Sequence, residues 1–148
     1  MARKILAVIL GYVVIFVSIF VLFTALYLVL GANGAFKPGS YRPSFTWLAL
    51  STPLAFVAAL VGGYVCAVVA RGGRAPLALA ALVLVLGFLF AVPALTAKAA
   101  DDVRPGNLSN MEAMQKAKEP AGVALANPLL GAAGVLVGGW LRRRRAKG

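Results

Sequence analysis

The sequence predicts an all-α membrane protein: a single integral membrane domain over residues 1–148, with four transmembrane helices in a compact bundle and both termini cytoplasmic. A short amphipathic helix is expected in the external loop before the last span. Three observations predict this. The composition, 61% hydrophobic and 13% charged with a mean hydropathy of +0.90, lies far outside that of soluble domains. Four segments, residues 5–30, 46–70, 76–95 and 121–141, reach the length of about 20 apolar residues that a helix needs to cross a bilayer core of about 30 Å. The positive charges, finally, fall unevenly between the segments that join these spans.

The first span carries no charge from Ile5 to Leu30, and at about 1.5 Å per residue it is roughly 39 Å long, enough to tilt or to enter the headgroup zone. The opening residues MARK and the later ANGA at 32–35 imitate a secretory leader with its cleavage site. The apolar run is too long for that, since a leader's apolar region has roughly 7 to 15 residues, and it reads as an uncleaved helix. The loop over residues 31–45 is rich in glycine and proline and is expected to be irregular, with Phe36, Tyr41, Phe45 and Trp47 at the membrane surface as an aromatic belt.

The second span is marked by small residues. Ser51, Ala55, Ala59, Gly63 and Ala67 recur at every fourth position, with Ala58, Gly62, Cys66 and Ala70 as a parallel row. Helix association in lipid depends on close contact, which small side chains permit. The third span is rich in leucine, and the first offers only a thin stripe of Gly11, Ser18 and Ala25. In the fourth, Ala124, Asn127, Gly131, Gly134 and Gly138 form a seam at spacings of three and four, so the second and fourth spans are expected to pack at the centre. Helix-packing roles therefore fall to Ala55, Ala59, Gly62, Gly63, Gly131, Gly134 and Gly138. The two spans also share a pattern. Pro53, Gly62-Gly63, Tyr64 and Arg71 in one are echoed by Pro128, Gly138-Gly139, Trp140 and Arg142 in the other. A parallel repeat of two hairpins about an axis along the membrane normal produces such an echo, and so does the general frequency of glycine and proline in membrane helices.

The loop over residues 96–120 is the more structured of the external pair. Ser109 and Glu112 fit a capping box, and the following residues to Glu119 are strong helix formers stopped before Pro120. Met111, Met114 and Ala117 share one side of that helix, with Glu112, Lys116 and Glu119 on another, so it is expected to lie on the bilayer or to cover the bundle. Asn107 begins a glycosylation sequon, and Asp101-Asp102 reads as a solvated pair.

Nine of the fifteen lysines and arginines lie at Arg3, Lys4, Arg71, Arg74, Arg142–Arg145 and Lys147, all on one side of four spans. The other six share their side with all four acidic residues. The positive side is expected to be cytoplasmic. Arg142, Arg143, Arg144 and Arg145 are thus a stop signal and a contact for anionic lipid, with Trp140 at headgroup level, and not a nucleic-acid surface. The net charge of +11 has no water-facing domain on which to bind nucleic acid.

Composition removes several classes of chemistry. There is no histidine, and Cys66 is the only cysteine, so disulfide frameworks, imidazole ligands and cysteine metal sites are excluded, and no cofactor or metal is expected. With every acidic residue in the third loop, no carboxylate is expected to project into the membrane as a proton relay or ion ligand. Most hydroxyls at depth should bond back to their own helix. Asn127 differs, because one residue before a mid-helix proline it can satisfy a freed carbonyl, bridge to the second span, or line a small polar site.

The expected function is that of a non-enzymatic, structural or interactive membrane protein. It would contact the bilayer and pack against itself or a larger membrane complex through its small faces. The alternative is a subunit of an oligomeric small-solute transporter or channel with a pathway near Asn127. The bias toward alanine, valine, leucine and arginine points to a bacterial source and its cytoplasmic (inner) membrane.

Overall fold

A computed structural model of the chain describes residues 2–71, 73–96, 103, 106 and 108–146. Asp101, Asp102 and the sequon residue Asn107 lie outside the described residues, as do Lys98, Arg104 and Lys147. The elements are helices: α1 (Ala2–Ala35), α2 (Phe45–Ala70), α3 (Ala75–Thr96), α4 (Asn110–Lys116) and α5 (Ala121–Arg145). Four of the five, all but α4, are long and apolar enough to cross a membrane.

The helix ends are chemically set. Ser44 caps α2 by accepting a hydrogen bond from the Trp47 amide at 3.0 Å, and Arg71 closes the same helix in the left-handed conformation. Arg3 reaches across from α1 and donates from Nε to the Val69 carbonyl at 2.8 Å, placing a cation among the last, unpaired carbonyls of α2. The first helix is kinked at Gly31, whose φ 63° and ψ 177° are a conformation that a β-carbon disfavours, and Ala32–Ala35 follow as a separate turn. At the other end of the chain α5 continues through the arginine run, with the Arg144 guanidinium stacked 3.9 Å from the Trp140 ring centre.

In the bundle α2 is the central helix, flanked by α1 and α5, and α5 in turn lies against α3. The two small rows of α2 serve different neighbours. Gly62 and Cys66 face Gly11 of α1, while Ala59 and Gly63 face Gly134 and Val135 of α5. The α1 side of its contact is built from Ala7, Gly11 and Ile15, all buried, whereas Ala25 of the expected stripe is exposed. Leu79 of α3 is fully buried and completes this core.

The loop that follows α1 is ordered. Phe36 and Pro43 form an isolated antiparallel bridge, closed by a hydrogen bond from the Lys37 amide to the Arg42 carbonyl at 2.9 Å. Phe36 and Tyr41, expected at the membrane surface, are buried instead at 5% and 6% exposure, ring edge against ring face. What covers them is the region of α4. Ala113 packs on Tyr27, Ala35 and Phe36, the Tyr27 hydroxyl donates to the Leu108 carbonyl at 2.8 Å, and the Asn110 amide donates to Thr24 Oγ1 at 2.9 Å. Thus α4 covers the bundle end.

The capping box of α4 is complete, with Ser109 N donating to Glu112 Oε2 and Glu112 N to Ser109 Oγ. Those bonds hold the Glu112 carboxyl below the ordinary carboxylate range. The helix stops at Lys116, earlier than its composition predicts, because the Lys118 amide bonds to the Tyr41 carbonyl at 3.0 Å and Glu119 precedes a proline.

Candidate functional site

The expected packing residues lie at four kinds of contact. A β-carbon added to Gly63 would collide with the Val135 backbone, 2.6 Å from its Cα, and one added to Gly138 would strike the Leu60 carbonyl oxygen and approach the Tyr64 nitrogen to 2.8 Å. Gly134 faces Ala59 and the Phe56 carbonyl, Gly62 faces Ile15 and the Gly11 carbonyl, and Gly131 meets Val83 of α3. Ala55 is half-buried and lines a cavity. Two close contacts went unanticipated: Gly87 of α3 against the Pro128 ring, and Gly139 against Pro76. Gly62, Gly63, Gly131, Gly134 and Gly138 are therefore occupied inside the fold.

Residues 75 apart in the chain play matching parts in α2 and α5: Thr52 and Asn127 line one cavity, and Gly63 and Gly138 each meet the backbone of the other helix. This is one residue out of the register that the two glycine pairs imply. The likeness stops at the prolines, for Pro128 is buried and Pro53 exposed.

Between the helices, in the half of the bundle that α4 covers, lies a cavity of about 300 Å³. Tyr12, Ile15, Phe16, Ile19 and Phe23 of α1 line it, with Thr52, Ala55 and Ala59 of α2, Val83, Leu86 and Phe90 of α3, and Asn127, Pro128 and Gly131 of α5. Phe16 and Phe90 belong both to this lining and to the exposed side of the bundle, so the cavity reaches its flank. A second space of about 340 Å³ lies beneath α4, among Tyr27, Trp47, Asn110 and Met114. Ile19, Phe23 and Glu119 border both.

Glu119 is the acidic side chain that borders this cavity. It stands in the connection before α5, yet its Oε1 accepts a hydrogen bond from Asn127 Nδ2 at 2.6 Å, two turns into that helix. Its side chain is exposed and borders both cavities. The protein atoms crowded around it push its carboxyl above the ordinary carboxylate range, a rise that the Asn127 bond opposes. Asn127 thus lines a polar site, the third of the roles open to it. Thr52 behaves as hydroxyls at depth are expected to, donating to the Leu48 carbonyl at 2.7 Å, and so does Thr96 to Val92. The second cavity is walled by a cluster in which Trp47 meets Phe23 and Tyr27 edge-on, with ring centres 5.7 and 6.4 Å apart.

Large apolar side chains, among them Ile5, Ile9, Phe20, Leu28, Val29, Val85 and Leu89, cover the outside of the four long helices. An exterior of this kind is stable only against lipid, and the chain is an integral membrane protein. No protein-family model, curated protein or solved structure matches it.

Proposed function

We propose that this is a non-enzymatic membrane protein that binds a small amphiphilic molecule in the cavity between its helices, as a carrier or a solute-handling subunit does. The observation that carries this reading is the distribution of polarity within the cavity: an apolar and aromatic wall that reaches the flank of the bundle, with Glu119, Asn127 and Thr52 as its polar groups. Such a site orients a molecule that arrives through the bilayer. The scaffold reading drew its support from small-residue faces, and those faces are occupied by neighbouring helices of the same chain.

Photolabelling tests the site. A diazirine-bearing alkylbenzene, irradiated with the protein in nanodiscs, should label peptides from Tyr12–Phe23 and Val83–Ala91. The Ala55→Phe variant, whose ring fills the cavity, should reduce that labelling to background. Labelling spread evenly over the lipid-facing surface and indifferent to Ala55→Phe would overturn the reading.

The setting is the cytoplasmic membrane of a bacterium, with both termini inside and α4 outside. Arg3 bonded to Val69 and Lys4 beside Gly73 gather the basic segments of α1, α2 and α3 at one end of the bundle, where Arg142–Arg145 offer guanidinium groups to anionic headgroups. In a Cys66→Ala background, a cysteine at Ser40 should react with an impermeant maleimide on intact cells, and one at Ala146 only after permeabilisation. The reverse pattern would invert the topology.

A further inference from the structure

Glu119 has an amide donor in Asn127. Among the described residues no lysine or arginine pairs with it, and its one hydrogen-bond partner is Asn127. The Lys116 ammonium lies 5.8 Å from the Tyr41 ring centre, an aromatic partner in place of this carboxylate. Around the carboxylate the walls of the two cavities supply aromatic faces, from Phe16, Phe23 and Phe90 on one side and Tyr27 and Trp47 on the other. A carboxylate on the wall of an apolar cavity attracts a cation, and aromatic rings attract one without competing for hydrogen bonds.

We propose that the molecule bound here is a small organic cation, a hydrophobic amine or quaternary ammonium compound, whose charge pairs with Glu119 while its apolar body lies among the aromatic side chains. This rests on the cavity's being a binding site and names what it selects. Asn127 is the positioning residue: its amide fixes the carboxylate at the boundary of the two spaces. Size agrees with this class, for a cavity of about 300 Å³ admits a benzene ring with a trimethylated nitrogen.

The probe pair is phenyltrimethylammonium and tert-butylbenzene, which differ in charge and hardly in shape. In detergent-solubilised protein carrying ¹³C-labelled isoleucine methyl groups, the cation should shift the Ile15 and Ile19 signals saturably and leave those of Ile5 and Ile9 in place. The neutral isostere should bind about tenfold more weakly or worse, and Glu119→Gln, which keeps an acceptor for Asn127, should remove the difference between the two. If the neutral molecule binds as well as the cation to the wild type, or the preference survives Glu119→Gln, the charge selection is overturned and the cavity remains a binding site. If neither compound moves Ile15 or Ile19, the binding reading itself fails, and this proposal with it.

Discussion

Replacing Gly63 with leucine should prevent the bundle from assembling, and Gly138→Leu should do the same. At both positions the obstacle is backbone: Val135 at one, Leu60 and Tyr64 at the other. A neighbouring side chain can rotate away, but a backbone yields only if α2 and α5 separate, and that separation would dismantle one of the two main contacts of the central helix. Overpacking of a well-filled core costs about 1–3 kcal/mol where side chains can adjust, so the cost here should reach about 3 kcal/mol or more. Ala81→Leu, the same kind of enlargement on the exposed side of α3, should stay within about 0.5 kcal/mol. Thermal unfolding in detergent, followed by helical circular dichroism and by the yield of monodisperse protein, measures the contrast. Equal tolerance at all three positions would remove the argument that close backbone approach holds this bundle together.

The second large effect is that of pH on cation binding. In the proposed pairing the ligand meets the ionised form of Glu119, and desolvation raises that carboxyl above the ordinary carboxylate range near pH 4.3. Binding should therefore be complete at high pH and be lost as pH falls through the raised value, sooner than an ordinary glutamate would allow. Below the midpoint one proton competes with one cation, so affinity should drop about tenfold per pH unit. Asn127→Ala removes a donor that favours the ionised form, so its midpoint should lie higher still. The variant should bind more weakly than the wild type at mildly acid pH and match it at high pH. Glu119→Gln should show a flat profile. The other ionisable groups at the cavities are the phenols of Tyr12 and Tyr27, with Lys116 and Lys118 on the connection from α4, and the flat profile separates their contribution from that of Glu119. Methyl titrations with phenyltrimethylammonium over about pH 4 to 8 measure it. A wild-type affinity independent of pH would dissociate the carboxylate from binding.

The four long helices could be read from the sequence because length and hydropathy belong to a segment by itself. The small rows of α2 were visible for a similar reason, since a period of four fixes a face. Periodicity names no partner, however, and nothing in the spacing of Gly62 and Gly63 says that one turns to α1 and the other to α5. Gly87 carried a signal that was passed over: a lone glycine in a leucine-rich helix marks a close approach, here by the Pro128 ring. Phe36 and Tyr41 were assigned to the membrane surface because a loop rich in glycine and proline offers no period, and their burial depends on α4, a segment some 70 residues further along the chain.

Glu119 escaped for a different reason. In sequence it is the last residue before a proline that ends one segment and begins another, and its spacing from Glu112 and Lys116 puts it on the polar side of the helix before that proline. Its partner, Asn127, is eight residues away, two helical turns. That spacing places the pair on one side of the connection only if the chain enters α5 directly at Pro120, as it does here. The pairing was therefore conditional on where the helix starts, the least certain feature of any reading from sequence.

The position of Glu119 in the wall of both cavities ties their occupants together. A single carboxylate can neutralise one cation at a time, so a charged molecule beneath α4 and another among the spanning helices compete for the same negative charge, although the two never touch. The coupling is reciprocal by thermodynamic necessity: whatever factor the first costs the second in affinity, the second costs the first. A cation handed from the space under α4 to the space between the helices would keep its counter-ion throughout the transfer, and only one would be held at any moment.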